Sequence, residues 1–192
     1  MIDLAPTEIL TERLRLRAPR RGDSGPLHAA IEETLELLVP WLPWARPGHS
    51  RTDTRRYLRA ARLAWARATT FEFVIEARPD GPIVGVTSLH RIDWLRRSAG
   101  IGYWIRRSRF GSGLATEACD ALLAHAFGAL ALHRVEALVA LANKPSQRVV
   151  EKLGFTREGV ARGVELVDGE FLDHFQYSRL ESDLPRDAEG EA

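Results

Sequence analysis

Ser108-Arg109-Phe110-Gly111-Ser112-Gly113-Leu114-Ala115-Thr116-Glu117-Ala118 puts two glycines where an extended run ending at Ile105 gives way to a run with helical periodicity. Without a Cβ, glycine lets the main chain turn sharply and lets its N–H groups approach a ligand that a side chain would hold away. Amides at a helix start have no intrahelical partner and share roughly half a positive charge from the macrodipole, so they suit phosphate oxygens. Arg106, Arg107 and Arg109 add charge nearby. Taken alone, Gly-x-Gly fits a tight turn flanked by solvated arginines equally well.

Outward from this stretch the chain alternates between the two periods. Toward the N-terminus, Leu14 to Arg17 reads as a strand, and Leu27, Ile31, Leu35 and Leu38 recur at helical spacing behind a cap at Asp23 or Ser24. Asp53 to Ala68 reads as a second helix. Pro40-Trp41-Leu42-Pro43-Trp44 between them is too proline-rich for either regular element and makes a lid over the core or the wall of a pocket. Phe71 to Glu76, Ile83 to His90 and Ala99 to Ile105 read as a meander of strands. A helix from Leu114 to Leu130, a strand from Arg134 to Leu141 and a short helix from Ser146 to Leu153 follow. Two closing strands, Glu158 to Val167 and Phe171 to Leu180, flank Asp168-Gly169. The order predicts an α/β (α+β) mixed sheet of about seven mostly antiparallel strands with about four helices. Residues 1–180 form a single domain in this reading, and 181–192 an acidic, disordered tail.

Composition narrows the function classes. The 192 residues carry 27 Lys+Arg against 26 Asp+Glu, a net charge of +1. That balance excludes a whole-protein electrostatic grip on nucleic acid, so any basic site is local. All the basic residues but Lys144 and Lys152 are arginine, read here as background codon usage. No apolar run reaches the roughly 18 residues of a membrane span. The lone Cys119 cannot form an internal disulfide, and MIDLAPTEIL lacks the pattern of a secretory signal, which points to reducing cytoplasm. His90, His125 and His133 show no metal-ligand spacing, so no metal is expected. Cys119 reads as a small buried residue, and Glu117 as a complement to the positive end of its helix.

Several ordered motifs carry a family resemblance. Ile101-Gly102-Tyr103-Trp104-Ile105, the Gly-Ser-Gly-Leu-Ala-Thr-Glu-Ala loop, Asn143-Lys144-Pro145-Ser146 and Lys152-Leu153-Gly154-Phe155 resemble the GNAT acetyltransferases. Leu10-Thr11-Glu12-Arg13-Leu14-Arg15-Leu16-Arg17 and Glu158-Gly159 are similar to the RimJ/RimL branch, named for N-terminal acetylation of ribosomal proteins. The resemblance spans Leu10 to Leu180. It implies acetyl-CoA as co-substrate, with Gly111, Ser112, Gly113, Leu114 and Ala115 binding the pyrophosphate through their amides and Arg109 beside them. It lays the pantetheine arm along Tyr103, Trp104 and Ile105, a strand addition to an open sheet edge. Many members have Gln or Arg three residues before the first loop glycine; Ser108 stands there in this chain, which leaves the amides to do the binding.

The resemblance also assigns the reacting end. Asn143 matches a pantetheine-binding asparagine, although an asparagine there also suits a helix cap with Pro145 in the first turn. Ser146 matches the serine near the thioester sulfur. A thiol of pKa about 8.5 leaves readily, so a hydrogen-bond donor suffices there. Glu165, four residues before Gly169, falls where the RimL-like pattern has its proposed general base, acting through water; a solvated strand glutamate is the plain alternative. Asp173 and His174 on the next strand compete for that role or for substrate binding, and Trp41 and Trp44 resemble the acceptor-side loop. A homodimer is implied.

Attack on a thioester requires a neutral amine. An α-amine has a pKa of about 7.8 and a lysine side chain about 10.4, so lysine costs roughly 3.5 kcal/mol more to deprotonate at neutral pH. A modest base therefore favours α-amines of protein or peptide N-termini, and equally small amines, antibiotics or metabolites, whose pKa is depressed. Two other classes stay open: a non-catalytic acyl-CoA sensor, and a nicotinamide oxidoreductase suggested by the partial Gly-x-Gly fingerprint. Thr116 in place of a third glycine, and a loop placed after a hairpin run, disfavour the last.

Overall fold

The computed structural model describes residues 8–183. Its strands are β1 (Glu8–Leu10), β2 (Leu14–Arg17), β3 (Phe71–Ala77), β4 (Ile83–Asp93), β5 (Ser98–Ile105), β6 (Arg134–Ala140), β7 (Thr156–Val167) and β8 (Glu170–Leu180). They form one sheet in the order β1-β2-β3-β4-β5-β6-β8-β7, antiparallel at every junction except β5 with β6. The helices are α1 (Ser24–Leu38), α2 (Arg51–Ala66), α3 (Leu114–Phe127) and α4 (Lys144–Lys152).

Several departures from the expected elements have a local cause. The sheet has eight strands and not seven because β1, only three residues long, has no periodicity of its own; it is held against β2, with Glu8 paired to Arg15 at 2.7 Å. Ser50 caps α2, its Oγ taking the Asp53 amide at 3.2 Å while the Asp53 carboxylate takes the Ser50 amide at 3.0 Å, so that helix starts at Arg51. Asp23, expected as a cap, gives its carboxylate to Arg17 and to the Arg20 amide. Gly128 ends α3 at Phe127, and the next residues turn back with Leu130 N donating to His125 O. Asp168 (φ 48°) and Gly169 (φ 84°) make the two-residue β7–β8 turn, a left-handed pair that glycine and aspartate tolerate. Glu181–Asp183, assigned to the tail by the sequence, form a 3-10 turn tied by Glu181 N to His133 O at 2.9 Å and by Glu181 to Arg97 at 3.0 Å. The rest of the expected tail, 184–192, lies outside the described residues.

Two apolar cores cover opposite faces of the sheet. Leu114, Ala118, Leu122, Leu123 and Ala126 of α3, with Val150 and Leu153 of α4, pack on Phe71, Phe73, Ile75, Leu89, Ile101, Val135, Ala137, Val139 and Tyr177. On the other face Leu27, Ile31 and Leu38 of α1 and Leu58 of α2 pack on Val74, Val86 and Trp104. Because side chains alternate along a strand and paired residues share a face, these memberships orient every neighbouring position.

The feature that creates the site is a ladder that stops. β5 and β6 pair at Ser98 with Arg134, Ala99 with Val135 and Gly100 with Glu136, and then diverge. From Ile101 to Ile105 strand β5 stays bonded to β4, so its other edge opens into a gap beside the end of β6.

Candidate active site

A cleft of about 600 Å³ occupies this gap. It is lined by Tyr103, Trp104 and Ile105 from β5, Arg109, Gly111, Gly113, Leu114 and Ala115 from the glycine loop, and Asn143 and Ser146 at the start of α4. Leu38, Trp41 and Leu42 complete its wall on the α1 side.

The loop supplies the polar end. Gly111 (φ 71°) and Gly113 (φ 80°) both adopt the left-handed conformation that other side chains disfavour, and Gly113 is the residue just before α3. The first main-chain bond of that helix runs from Glu117 N to Gly113 O at 3.1 Å; among the described residues nothing accepts from the amides of Gly111 to Thr116. Those N–H groups, at the positive end of a helix of 14 residues, suit an anion such as a diphosphate. A Cβ built on Gly111 would meet nothing within 4 Å, so that glycine serves its backbone conformation and not a protein contact.

The loop is braced from both sides by residues the sequence left without a role. Arg13 donates from Nη1 to the Ser112 carbonyl at 2.9 Å. Glu33 of α1 takes the Ser108 amide at 2.8 Å and pairs with Arg106, and Thr34 Oγ1 takes the Arg107 amide at 3.0 Å. These bonds to Ser108 and Arg106 hold the Glu33 carboxyl down at about 2. Ser108, the departure from the family pattern, thus ties the loop to α1. Ser112 turns its hydroxyl to the Arg109 carbonyl at 2.5 Å.

At the other end, Tyr103 Oη lies 2.8 Å from Ser146 Oγ and donates to the Ser146 carbonyl at 3.1 Å. Burial pushes the Tyr103 phenol well above its usual range, so it stays protonated as a donor. Asn143 accepts the Ser146 amide at 3.2 Å as the cap of α4 and lines the cleft as well. Cys119, the one cysteine of the sequence, does not line the cleft; it is fully buried, and that burial pushes its thiol up to about 12.

Of the residues expected on the acceptor side, Trp44, Glu165, Asp173 and His174 fall outside the cleft lining, and register separates the last three. Ala140 pairs with His174, and Val139 with Phe175; since Val139 belongs to the α3 face, His174 stands on the α1–α2 face. Glu165 pairs with Leu172, which shares the face of His174, so Glu165 does too. Asp173 stands on the opposite face, where its Oδ1 accepts the Gly163 amide at 2.7 Å across the irregularity between Ala161 and Glu165. Trp41 lines the cleft, whereas Trp44 lies behind it, stacked on Tyr57 at 6.4 Å and tilted against Trp104 at 6.3 Å. Among the described residues no group of three or more His, Cys, Asp or Glu is placed to hold a metal, and no helix is long and apolar enough to cross a membrane.

Comparison with known proteins agrees with this geometry. The family model described as an acetyltransferase (GNAT) domain matches residues 13–156. The chain is 35% identical over 184 residues to YdaF of Bacillus subtilis, covering 95% of this chain and 97% of that one. It is 28% identical over 171 residues to the ribosomal-protein-serine acetyltransferase of Escherichia coli, covering 89% and 94%. Among solved structures, RimJ of Mycobacterium smegmatis in complex with CoA-disulfide superposes with a TM-score of 0.83 at 32% identity, over 90% of this chain and 84% of that one. The RimL ribosomal L7/L12 α-N-protein acetyltransferase in complex with coenzyme A gives 0.84 at 25% identity, over 90% and 97%.

Proposed function

The chain belongs to the GNAT acetyltransferase family, and from that premise we propose that it moves the acetyl group of acetyl-CoA to the α-amine of a protein or peptide N-terminus. The carrying observation is the cleft itself: an open strand edge from Ile101 to Ile105 that runs from the free amides of the glycine loop to the Tyr103–Ser146 pair. The diphosphate binds the amides of Gly111 to Ala115. The pantetheine arm adds to β5 as a strand would, and Asn143 flanks it.

The amine approaches from the α1–α2 face, attacks the thioester carbonyl directly, and the thiolate leaves beside Ser146. The inert thiol of Cys119 supports direct transfer without an acyl-enzyme. Glu165 is the base, reaching the amine through an intermediary, water in the simplest case. Trp41 walls the acceptor side. The relatives named for ribosomal-protein acetylation support an N-terminal protein acceptor. We place the enzyme in the cytoplasm as a homodimer, a state supported by the exposed apolar side chains Val160, Val164, Leu166 and Phe171 on the outermost hairpin. Size-exclusion with light scattering returning a monomer removes that last assignment.

Thermal shift and mass spectrometry test the reading together. At a hundred times its dissociation constant coenzyme A adds about 2.7 kcal/mol, raising Tm by roughly 5 to 10 °C, and NAD leaves it unmoved. N-terminal peptides incubated with acetyl-CoA gain one acetyl mass, faster than small amines do. A melt raised by NAD and not by coenzyme A overturns the proposal. Coenzyme A binding without acetyl gain on any amine makes the protein a sensor.

A further inference from the structure

His174 is a polar side chain on the acceptor face that the fold does not account for. It is 5% exposed, and among the described residues neither Nδ1 nor Nε2 has a hydrogen-bond partner. Buried polar groups are nearly always bonded, and an exception calls for an explanation in strain, catalysis, or a bound water or ion. The ring stands among small residues, paired with Ala140 on β6 and Ala161 on β7. Ala140 is the last residue of β6, where that strand has parted from β5, and the chain runs from it directly to Asn143 and Ser146 of the cleft. The Leu141 amide donates to the Asp173 carbonyl at 3.1 Å, which holds the His174 segment against that end of the gap.

Two charged groups bear on the ring. Glu165 lies on its face from β7, and Asp173 is its chain neighbour, with its carboxylate on the other face and bonded to Gly163. β6 presents Ala140 at this level and contributes no charge. Burial lowers the proton affinity of the imidazole, while Glu165 and Asp173 oppose that. The ring is therefore neutral at pH 7, with a carboxylate placed to stabilise its charged form.

Resting on the acetyltransferase reading but replacing its water-mediated base, we infer that the His174 imidazole itself takes the proton of the attacking amine, and that Glu165 is the positioning residue that holds the imidazolium. The amine lone pair forms the C–N bond at the thioester carbonyl, the C–S bond breaks with its electron pair on sulfur, and the ammonium proton passes to a ring nitrogen. The imidazolium then returns that proton to solvent, and the enzyme is restored. An imidazole is the side chain suited by its type to general-base work near neutral pH.

The test is the pH dependence of kcat from about pH 5 to 9 in wild type, His174→Gln and Glu165→Gln, with saturating acetyl-CoA and N-terminal peptide. The ionisation of the amine is common to all three, so a limb that differs among them belongs to the enzyme. His174→Gln is expected to lose the acidic limb and ~100-fold in kcat, with KM for acetyl-CoA within about two-fold of wild type. Glu165→Gln moves the limb to lower pH, because the ring loses its carboxylate. An unchanged limb in His174→Gln overturns the inference while leaving the acetyltransferase reading intact; wild type that acetylates no amine overturns that reading instead. If His174→Gln does not fold, NMR titration of the wild-type His174 ring with coenzyme A bound decides the matter. A titration moved down by Glu165→Gln supports the pair, and one unmoved by it overturns the pair.

Discussion

Arg13 and Glu117 join the turn between β1 and β2 to the first turn of α3. Arg13 Nε donates to Glu117 Oε2 at 2.6 Å, and Glu117 Oε1 takes the Arg13 amide at 3.0 Å and the Thr11 hydroxyl at 2.5 Å. The same guanidinium holds the Ser112 carbonyl. Because the peptide unit is planar and trans, holding that carbonyl toward Arg13 points the Gly113 N–H the opposite way. An arginine outside the cleft thereby sets the direction of an amide proposed to bind diphosphate.

Arg13→Met removes that constraint without introducing a charge. Since the Arg13 side chain is about half exposed, the loss is about 1 kcal/mol, or ~5-fold in KM for acetyl-CoA, with kcat within about two-fold. Initial-rate kinetics in both substrates check it. A kcat that falls while KM stays put would make the residue a general stabiliser and not a brace for the loop.

Gly113→Val combines left-handed backbone strain with a side chain directed at Arg13, whose Nη2 lies 3.5 Å from an added Cβ. A β-branched residue at φ 80° costs ~1–2 kcal/mol or more, and the loop relieves it by turning its amides away. The expected result is a folded protein whose Tm no longer responds to coenzyme A. Gly159→Ala is the control, because a Cβ there meets nothing within 4 Å and its φ is ordinary; it keeps the full shift.

The elements that bury one regular face were legible in the residues. Leu14-Arg15-Leu16-Arg17 has the period of a strand and is one, and Asp168-Gly169 has the chemistry of a left-handed turn and makes one. The cleft lining was legible where a residue's own type carries the signal, as with the two loop glycines, or where the family resemblance supplied it, as with Ser146. What escaped was relational. No residue marks the parting of β5 from β6, because it is a pairing that does not happen. Arg13 resembles any strand-edge arginine until the fold brings it to Ser112, and nothing in the type of Asp173 foretells that its carboxylate takes the Gly163 amide. Periodicity gives the face of a residue relative to its own strand, and only the ladder gives the face relative to the cleft.

Tyr103 and Ser146 meet at the end of the cleft proposed to hold the thioester. Tyr103→Phe frees the Ser146 hydroxyl from its 2.8 Å partner while leaving the ring against the α3 core. Ser146→Ala removes the only hydroxyl at that position. A thiol of pKa about 8.5 is a good leaving group, so Ser146→Ala is expected to lower kcat only ~10-fold, and Tyr103→Phe by less. Steady-state kinetics with acetyl-CoA check both. A loss approaching ~1,000-fold would make Ser146 an obligatory acid.

Glu158 links the outer three strands. It takes Arg134 Nη1 at 2.7 Å and Nη2 at 2.5 Å, and the Ser178 hydroxyl at 2.8 Å, joining β7 to β6 and β8. Those bonds, from Arg134 first and Ser178 second, hold its carboxyl at about 2, below the usual 4.5. A carboxyl with a depressed folded-state pKa binds its proton more readily in the unfolded chain. Its contribution to stability is therefore fully present above about pH 4.5 and is lost as the pH falls toward 2. Glu158→Gln should lower the urea midpoint near pH 7, and the gap from wild type should close progressively below pH 4.5. Urea unfolding at a series of pH values measures this directly; a gap that persists unchanged at the acid end would assign the loss to side-chain packing and not to the ion pair with Arg134.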